Sequence, residues 1–188
     1  YAEMHARSSQ VAQGLIAEGV GSQDHIAFLD KNTPEYFEIL FGCAKANAIS
    51  VAVNWRLAAR EAAFIVNDAE AKVLFVGEEF LAQLEAIEAS LRTVKKIVVL
   101  GTHPRHESYA SWLGRQLAVD PELPSASDDV ALQLYTSGTT GLPKGAMLTN
   151  RNLGAVLPPV STRLAFDANS VSLVALPLFH MGGAGWAL

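Results

Sequence analysis

Four short runs in this chain are apolar at almost every position: His25-Ile26-Ala27-Phe28-Leu29, Val51-Ala52-Val53, Lys72-Val73-Leu74-Phe75-Val76 and Ile97-Val98-Val99-Leu100. A strand with one face in water alternates apolar with polar residues, so strands lacking that alternation have both faces covered. Between these runs the apolar residues recur at helical spacing. Met4, Val11, Leu15 and Ile16 share one helical face, which ends at Gly19 and Gly21. Pro34 follows Asn32 and Thr33, either of which can cap a helix whose apolar face is Tyr36, Phe37, Leu40, Phe41 and Ala44. Residues 61–68 and 80–91 read as two more helices, the second carrying Leu81, Leu84, Ile87 and Leu91. Buried strands alternating with helices imply an α/β fold, with parallel strands flanked by helices on both faces.

After Gly101 the pattern loosens. Residues 102–106 read as a polar loop, 108–117 as a helix, and 119–129 as a linker rich in Pro, Ser and Asp. This spacing divides the chain into an α/β subdomain at 1–118, a linker at 119–129 and a second unit that starts at 130 and runs to 188. Fourteen Lys and Arg against nineteen Asp and Glu give a net charge of −5 with no basic cluster, which argues against a nucleic-acid partner. The single Cys43 excludes an intramolecular disulfide and points to a reducing cytoplasm. No secretory leader is recognisable, and the apolar stretch at 171–178 is interrupted by Pro177 and is too short to span a bilayer. Tyr1 is not an initiator, and Leu188 falls in an apolar, Gly-rich stretch, so the expectation is a piece of a longer protein.

Residues Tyr135-Thr136-Ser137-Gly138-Thr139-Thr140-Gly141-Leu142-Pro143-Lys144-Gly145 follow another apolar run and hold four aliphatic hydroxyls, three glycines and a lysine. Glycines let the backbone approach an anion closely, and successive N–H groups in such a turn form a concave anion nest. The hydroxyls of Thr136, Ser137, Thr139 and Thr140 add neutral donors, and Lys144 adds a point charge suited to phosphate. The spacing is not that of the common ATPase loop. Counting from Gly138, Pro143 stands where that loop has glycine, and Gly145 where it has Ser or Thr. Residues 144–149 read as a strand, so the order is strand, loop, strand.

YTSGTTGLPKGAMLTNRNL resembles the phosphate-binding signature of the adenylate-forming superfamily, which includes acyl-CoA synthetases, peptide-synthetase adenylation domains and luciferases. Leu176-Pro177-Leu178-Phe179-His180 resembles the next core motif of that family. The block Asn54-Trp55-Arg56-Leu57, with Glu61 and Ile65-Val66-Asn67-Asp68, is closer to bacterial fatty-acyl-CoA and related ligases than to the peptide-synthetase branch. The resemblance implies a fragment of the large N-terminal domain of an acyl-CoA synthetase, with the unit from 130 as the start of its ATP-binding subdomain. It implies two steps: a carboxylate attacks the α-phosphate of ATP, and a thiol, normally coenzyme A, then displaces AMP from the acyl-adenylate. Thr136, Ser137, Gly138, Thr139, Thr140, Gly141 and Lys144 would bind ATP, with Thr136 nearest Mg²⁺ and Thr136, Lys144 and His180 acting in the reaction. His180 would orient the carboxylate or gate the thiol tunnel. A fatty acid is the first expectation for the acid and an aryl acid the second. A homodimer is compatible with this picture.

The same resemblance places an adenine-binding segment, a Mg²⁺ carboxylate, a ribose-binding aspartate and a catalytic lysine downstream of Leu188, so this stretch alone is expected to be inactive. Two other readings stay open: an adenylation domain serving a carrier protein, and a non-catalytic nucleotide-binding relative. Elsewhere the bland reading is preferred. His103, Arg105 and His106 read as a solvated loop, Cys43 as core, Trp55 as core and Arg56 as a snorkelling surface residue. Glu78, Glu79, Glu85 and Glu88 read as the outer face of a helix, and Asp128-Asp129 as the end of the linker.

Overall fold

The computed structural model describes residues 1–136 and 142–187. Seven strands form one sheet in the order β5-β4-β3-β1-β2-β6-β7. In chain order they are β1 (His25–Leu29), β2 (Ile49–Ala52), β3 (Val73–Gly77), β4 (Lys96–Leu100), β5 (Glu107–Ser108), β6 (Val130–Thr136) and β7 (Lys144–Thr149). Every pairing is parallel except β6 with β7. The fold is α/β, as the unalternating apolar runs require.

The two faces account for those runs residue by residue. Ile26, Phe28, Val73, Phe75 and Val98 belong to one core, together with Val11 and Leu15 of α1 (Ala2–Ala17), Tyr36, Ile39 and Cys43 of α2 (Pro34–Lys45), and Tyr109 and Trp112 of α5 (Tyr109–Gly114). Ala27, Leu29, Leu74 and Val76 belong to a second core beneath Ala62, Ile65 and Val66 of α3 (Ala59–Asp68) and Leu84 and Ile87 of α4 (Leu81–Ile87). Successive strand residues point to opposite faces, so each strand contributes to both cores. A fully buried side chain of this size contributes about 1.5–3 kcal/mol. Gly14 in α1 lets Trp112 lie against the helix backbone, since a Cβ there would collide with the indole ring.

Several boundaries differ from expectation. The 80–91 helix is α4 alone, flanked by 3₁₀ turns at Glu78–Phe80 and Glu88–Ser90. The Ser90 hydroxyl donates to the Ile87 carbonyl, 2.6 Å, and so competes with helix continuation. The 108–117 helix contracts to α5, which starts where Ser108 Oγ accepts from the Ser111 N–H (3.2 Å) and stops at Gly114. The two-residue β5 has no counterpart in the periodicity. Residues 119–129 carry no helix or strand. β6 beyond it pairs with β2, so the segment after the linker continues the same sheet. α6 (Asn150–Leu164) follows β7 directly, with Thr149 Oγ1 accepting from the Asn152 N–H and Asn152 Oδ1 accepting from the Thr149 N–H. α7 (Met181–Ala187) ends the described chain. No helix among the described residues is long and apolar enough to cross a membrane.

Candidate functional site at the C-terminal edge of the sheet

Because β1, β2 and β6 are parallel neighbours, the segments that leave them emerge together at one edge. In open α/β sheets this carboxyl edge is where ligands bind. Here it gathers Asp30, Lys31 and Asn32 after β1, Asn54, Trp55 and Arg56 after β2, and Thr136 at the end of β6.

Thr136 and Lys144 are paired across the β6–β7 hairpin, and both are exposed. The two residues that flank the Gly/Ser/Thr-rich segment therefore lie on paired antiparallel strands. Ser137, Gly138, Thr139, Thr140 and Gly141 lie outside the described residues. Among the described residues, Lys144 has no ion-pair partner to neutralise it.

The hairpin base is tied to its neighbours. The Tyr135 hydroxyl donates to Asp68 Oδ2 at the end of α3, 2.7 Å, and Gln133 Nε2 donates to the Tyr135 oxygen, 3.2 Å. Burial and the Asp68 carboxylate both hold the Tyr135 phenol above its ordinary range, so it remains a donor throughout the working pH range. Gly145 faces Tyr135 in the ladder, and a Cβ at that position would collide with the Gln133 amide and crowd the Tyr135 ring. Leu142 and Pro143 close a groove of about 440 Å³ against Ala58, Arg60, Glu61 and Phe64 at the start of α3. Glu61 holds that helix start by accepting from the Ala58 N–H, 2.9 Å.

His180 reaches the same edge through an anchored segment. Asn32 Nδ2 donates to the Leu176 carbonyl (2.9 Å) while Asn32 Oδ1 accepts from the Leu178 N–H (3.0 Å). The Tyr36 hydroxyl donates to the Leu178 carbonyl, 3.2 Å. Asn32 therefore does not cap α2. Its N-cap is Thr33, which makes no side-chain cap bond. Phe179 packs edge-on against Trp55, with ring centroids 6.3 Å apart, and the Arg56 guanidinium lies over both Trp55 (4.7 Å) and Phe179 (5.7 Å). Trp55 is thus half-buried at the edge and Arg56 stacks on two rings instead of snorkelling alone. His180 itself is exposed, with Nδ1 accepting from the Gly182 N–H at 3.1 Å. A neutral ring in that arrangement carries its proton on Nε2 and presents a donor. No hydrogen bond or ion pair among the described residues joins His180 to Thr136 or Lys144.

The remaining candidates are structural. Cys43 is wholly buried, which pushes its thiol up and makes it inert. His103 and His106 are not a solvated loop. Their rings stack with centroids 4.7 Å apart, Arg105 pairs with Glu88 at 2.7 Å, and His106 Nε2 lies 3.1 Å from Glu88. Glu88 thereby belongs to this cluster and not to an open helix face. Among the described residues no group of three or more His, Cys, Asp and Glu side chains could hold a metal ion. Asn32, Tyr36, Asp68 and Tyr135 were not singled out as site residues by sequence. Their partners lie 67 to 146 positions away, so although Asp68 and Tyr135 fall within motif blocks, nothing local shows what any of the four binds.

The AMP-binding enzyme family matches residues 1–188. A fatty acid–[acyl-carrier-protein] ligase of Streptomyces coeruleorubidus is 38% identical over 192 residues, covering 100% of this chain and 36% of the relative. A feruloyl-CoA synthase of an Amycolatopsis species is 39% identical over 189 residues, covering 98% of this chain and 35% of the relative. The crystal structure of ATP-bound MatB from Rhodopseudomonas palustris superimposes with a TM-score of 0.87 at 28% identity, covering 100% of this chain and 37% of that one. The chain thus spans about a third of the length of the curated relatives it matches.

Proposed function

The chain belongs to the AMP-binding enzyme family, and we propose on that ground that the protein carrying it is an AMP-forming acid–thiol ligase. A carboxylate attacks the α-phosphate of ATP, releasing pyrophosphate, and the thiol of coenzyme A then displaces AMP to give the thioester. The observation that carries this reading is the hydroxyl- and glycine-rich loop whose flanks, Thr136 and Lys144, are paired at the carboxyl edge of the sheet. Such a transfer asks the protein mainly to position the phosphates and neutralise charge. Residues 136–144 would hold the β- and γ-phosphates, and Lys144 would stabilise the leaving pyrophosphate. Losing one such donor costs about 3 kcal/mol of transition-state stabilisation. Mg²⁺ takes six oxygens and keeps several from phosphate and water, so the exposed Thr136 hydroxyl suits a single protein ligand. His180, donating from Nε2, would orient the substrate carboxylate.

A fatty acid is the preferred substrate class and an aryl acid the second; the names of the two curated relatives span both. The same pair also spans coenzyme A and a carrier protein as thiol. A free-standing CoA ligase is preferred, on the 54–68 block. Assignment of 1–118 and 130–188 to two subdomains joined at 119–129, a cytoplasmic site of action, a homodimer and inactivity of this stretch alone belong to the same proposal. Carboxylate-dependent exchange of labelled pyrophosphate into ATP tests it, using the full-length protein and a panel of fatty, aryl and amino acids. Exchange with fatty acids is the expected result. A folded, Mg²⁺-supplied protein that exchanges with no acid would favour the non-catalytic relative.

A further inference from the structure

Asp68 is the last residue of α3, and that helix has no basic residue in its final turn. A carboxylate there opposes the helix dipole, so helix stability does not explain it. Its partner is the Tyr135 hydroxyl, 67 positions away and one residue before Thr136. The buried Gln133 braces the same oxygen from below, and Gly145, opposite Tyr135 in the ladder, leaves no room for a side chain that would displace either. The Tyr135 ring packs against the α3-side core. One face of the hairpin base is thus held by α3 at the level of the two loop flanks.

We propose that Asp68 and Tyr135 are a positioning pair that sets the spacing and tilt of Thr136 and Lys144 relative to α3, and through them the geometry offered to the ATP phosphates. The proposal rests on the ligase reading for the identity of the anion. Neither residue touches the reacting atoms: the pair acts by fixing where β6 ends. Asp68 is exposed and Tyr135 half-buried, so variants at Asp68 leave the core intact.

The test is calorimetric binding of MgATP to the full-length protein without acid, alongside pyrophosphate exchange. Tyr135→Phe and Asp68→Ala each weaken MgATP binding roughly tenfold, the scale of one hydrogen bond to a charged acceptor. The double variant is no weaker than either single, and Asp68→Asn, which keeps an acceptor oxygen but loses its charge, falls between wild type and Asp68→Ala. In exchange, KM for ATP rises while KM for the acid is unchanged, a split that a general loss of stability would not produce. Unchanged MgATP affinity in folded variants, or losses that simply add in the double variant, would overturn the pair. If exchange persists while affinity is unaltered, the pair falls and the ligase reading stands. If affinity depends on the pair but no acid supports exchange, the ligase reading falls and the pair stands. A wild-type protein that binds no MgATP would sink both.

Discussion

Asn32 carries more of the site than its place in the chain suggests. Its amide is used at both ends, as donor to the Leu176 carbonyl and as acceptor from the Leu178 N–H. An Asn is suited to this because one side chain supplies a donor and an acceptor in a fixed plane. Replacing it with Ala leaves both main-chain groups unpaired, one of them at the buried Leu178. The expected loss is about 1–2 kcal/mol of stability, read by denaturant unfolding of the full-length protein. The functional consequence should be larger, because the two bonds hold the segment that delivers Phe179 to Trp55 and His180 to the edge. KM for the acid should rise several-fold while MgATP binding is unchanged. Asn32→Asp keeps the acceptor for Leu178 and loses the donor to Leu176, so it should fall between Ala and wild type. An Asn32→Ala protein with an unaltered acid KM would show that His180 is positioned from elsewhere.

The β6–β7 hairpin carries the two flanks of the proposed phosphate loop, and Gly145 shows how closely it is packed. Its backbone is not in the left-handed region, so the constraint is space. In Gly145→Ala the new methyl group must displace the Gln133 amide, which is buried and supports Tyr135. The expected result is a loss of about 1–3 kcal/mol from overpacking, with weaker MgATP binding. Gly154 in α6 has open space around its Cβ position and sits in an exposed helix. Gly154→Ala should therefore stabilise by up to about 1 kcal/mol. The same substitution thus carries opposite signs at two glycines, and thermal unfolding of the two variants side by side decides it. At this scale most of the architecture was legible in the sequence. The central strands announced themselves because burial on both faces leaves few polar residues in them. β5 was not legible, since two residues cannot display a period. That β6 joins β2 was not legible either, because a strand's own residues do not specify its neighbour. Tyr135–Asp68 and Asn32–Leu178 escaped for the same reason: each is one ordinary polar residue until the fold supplies its partner.

Among the described residues, several large apolar side chains in the C-terminal part of the chain are exposed. Val171 and Leu173 are 98% and 88% exposed, and Met147 on β7, Val156 on α6 and Leu176 are each about half exposed. Residues 171–176 line an open groove of about 510 Å³ with Phe166 and Gly182. β7 is the terminal strand of the sheet, so its outer main-chain groups face outward. Exposed edge strands and exposed apolar surface are each templates for association, and soluble monomers rarely leave large apolar patches open. The opposite end of the sheet contrasts with it: β5 is only two residues long, and its Glu107 is paired with Lys96 and Arg115. The 188-residue stretch prepared alone should therefore bind a hydrophobic dye such as ANS and self-associate with rising concentration. Set within a chain of the relatives' length, of which it spans about a third, it should do neither. Charged replacements at Val171 and Leu173 should restore a monomer in the isolated stretch without lowering its thermal stability, because those side chains contact little in it. If the isolated stretch sediments as a dye-silent monomer, these are not unmet surfaces, and the apolar residues at 171–176 need another explanation.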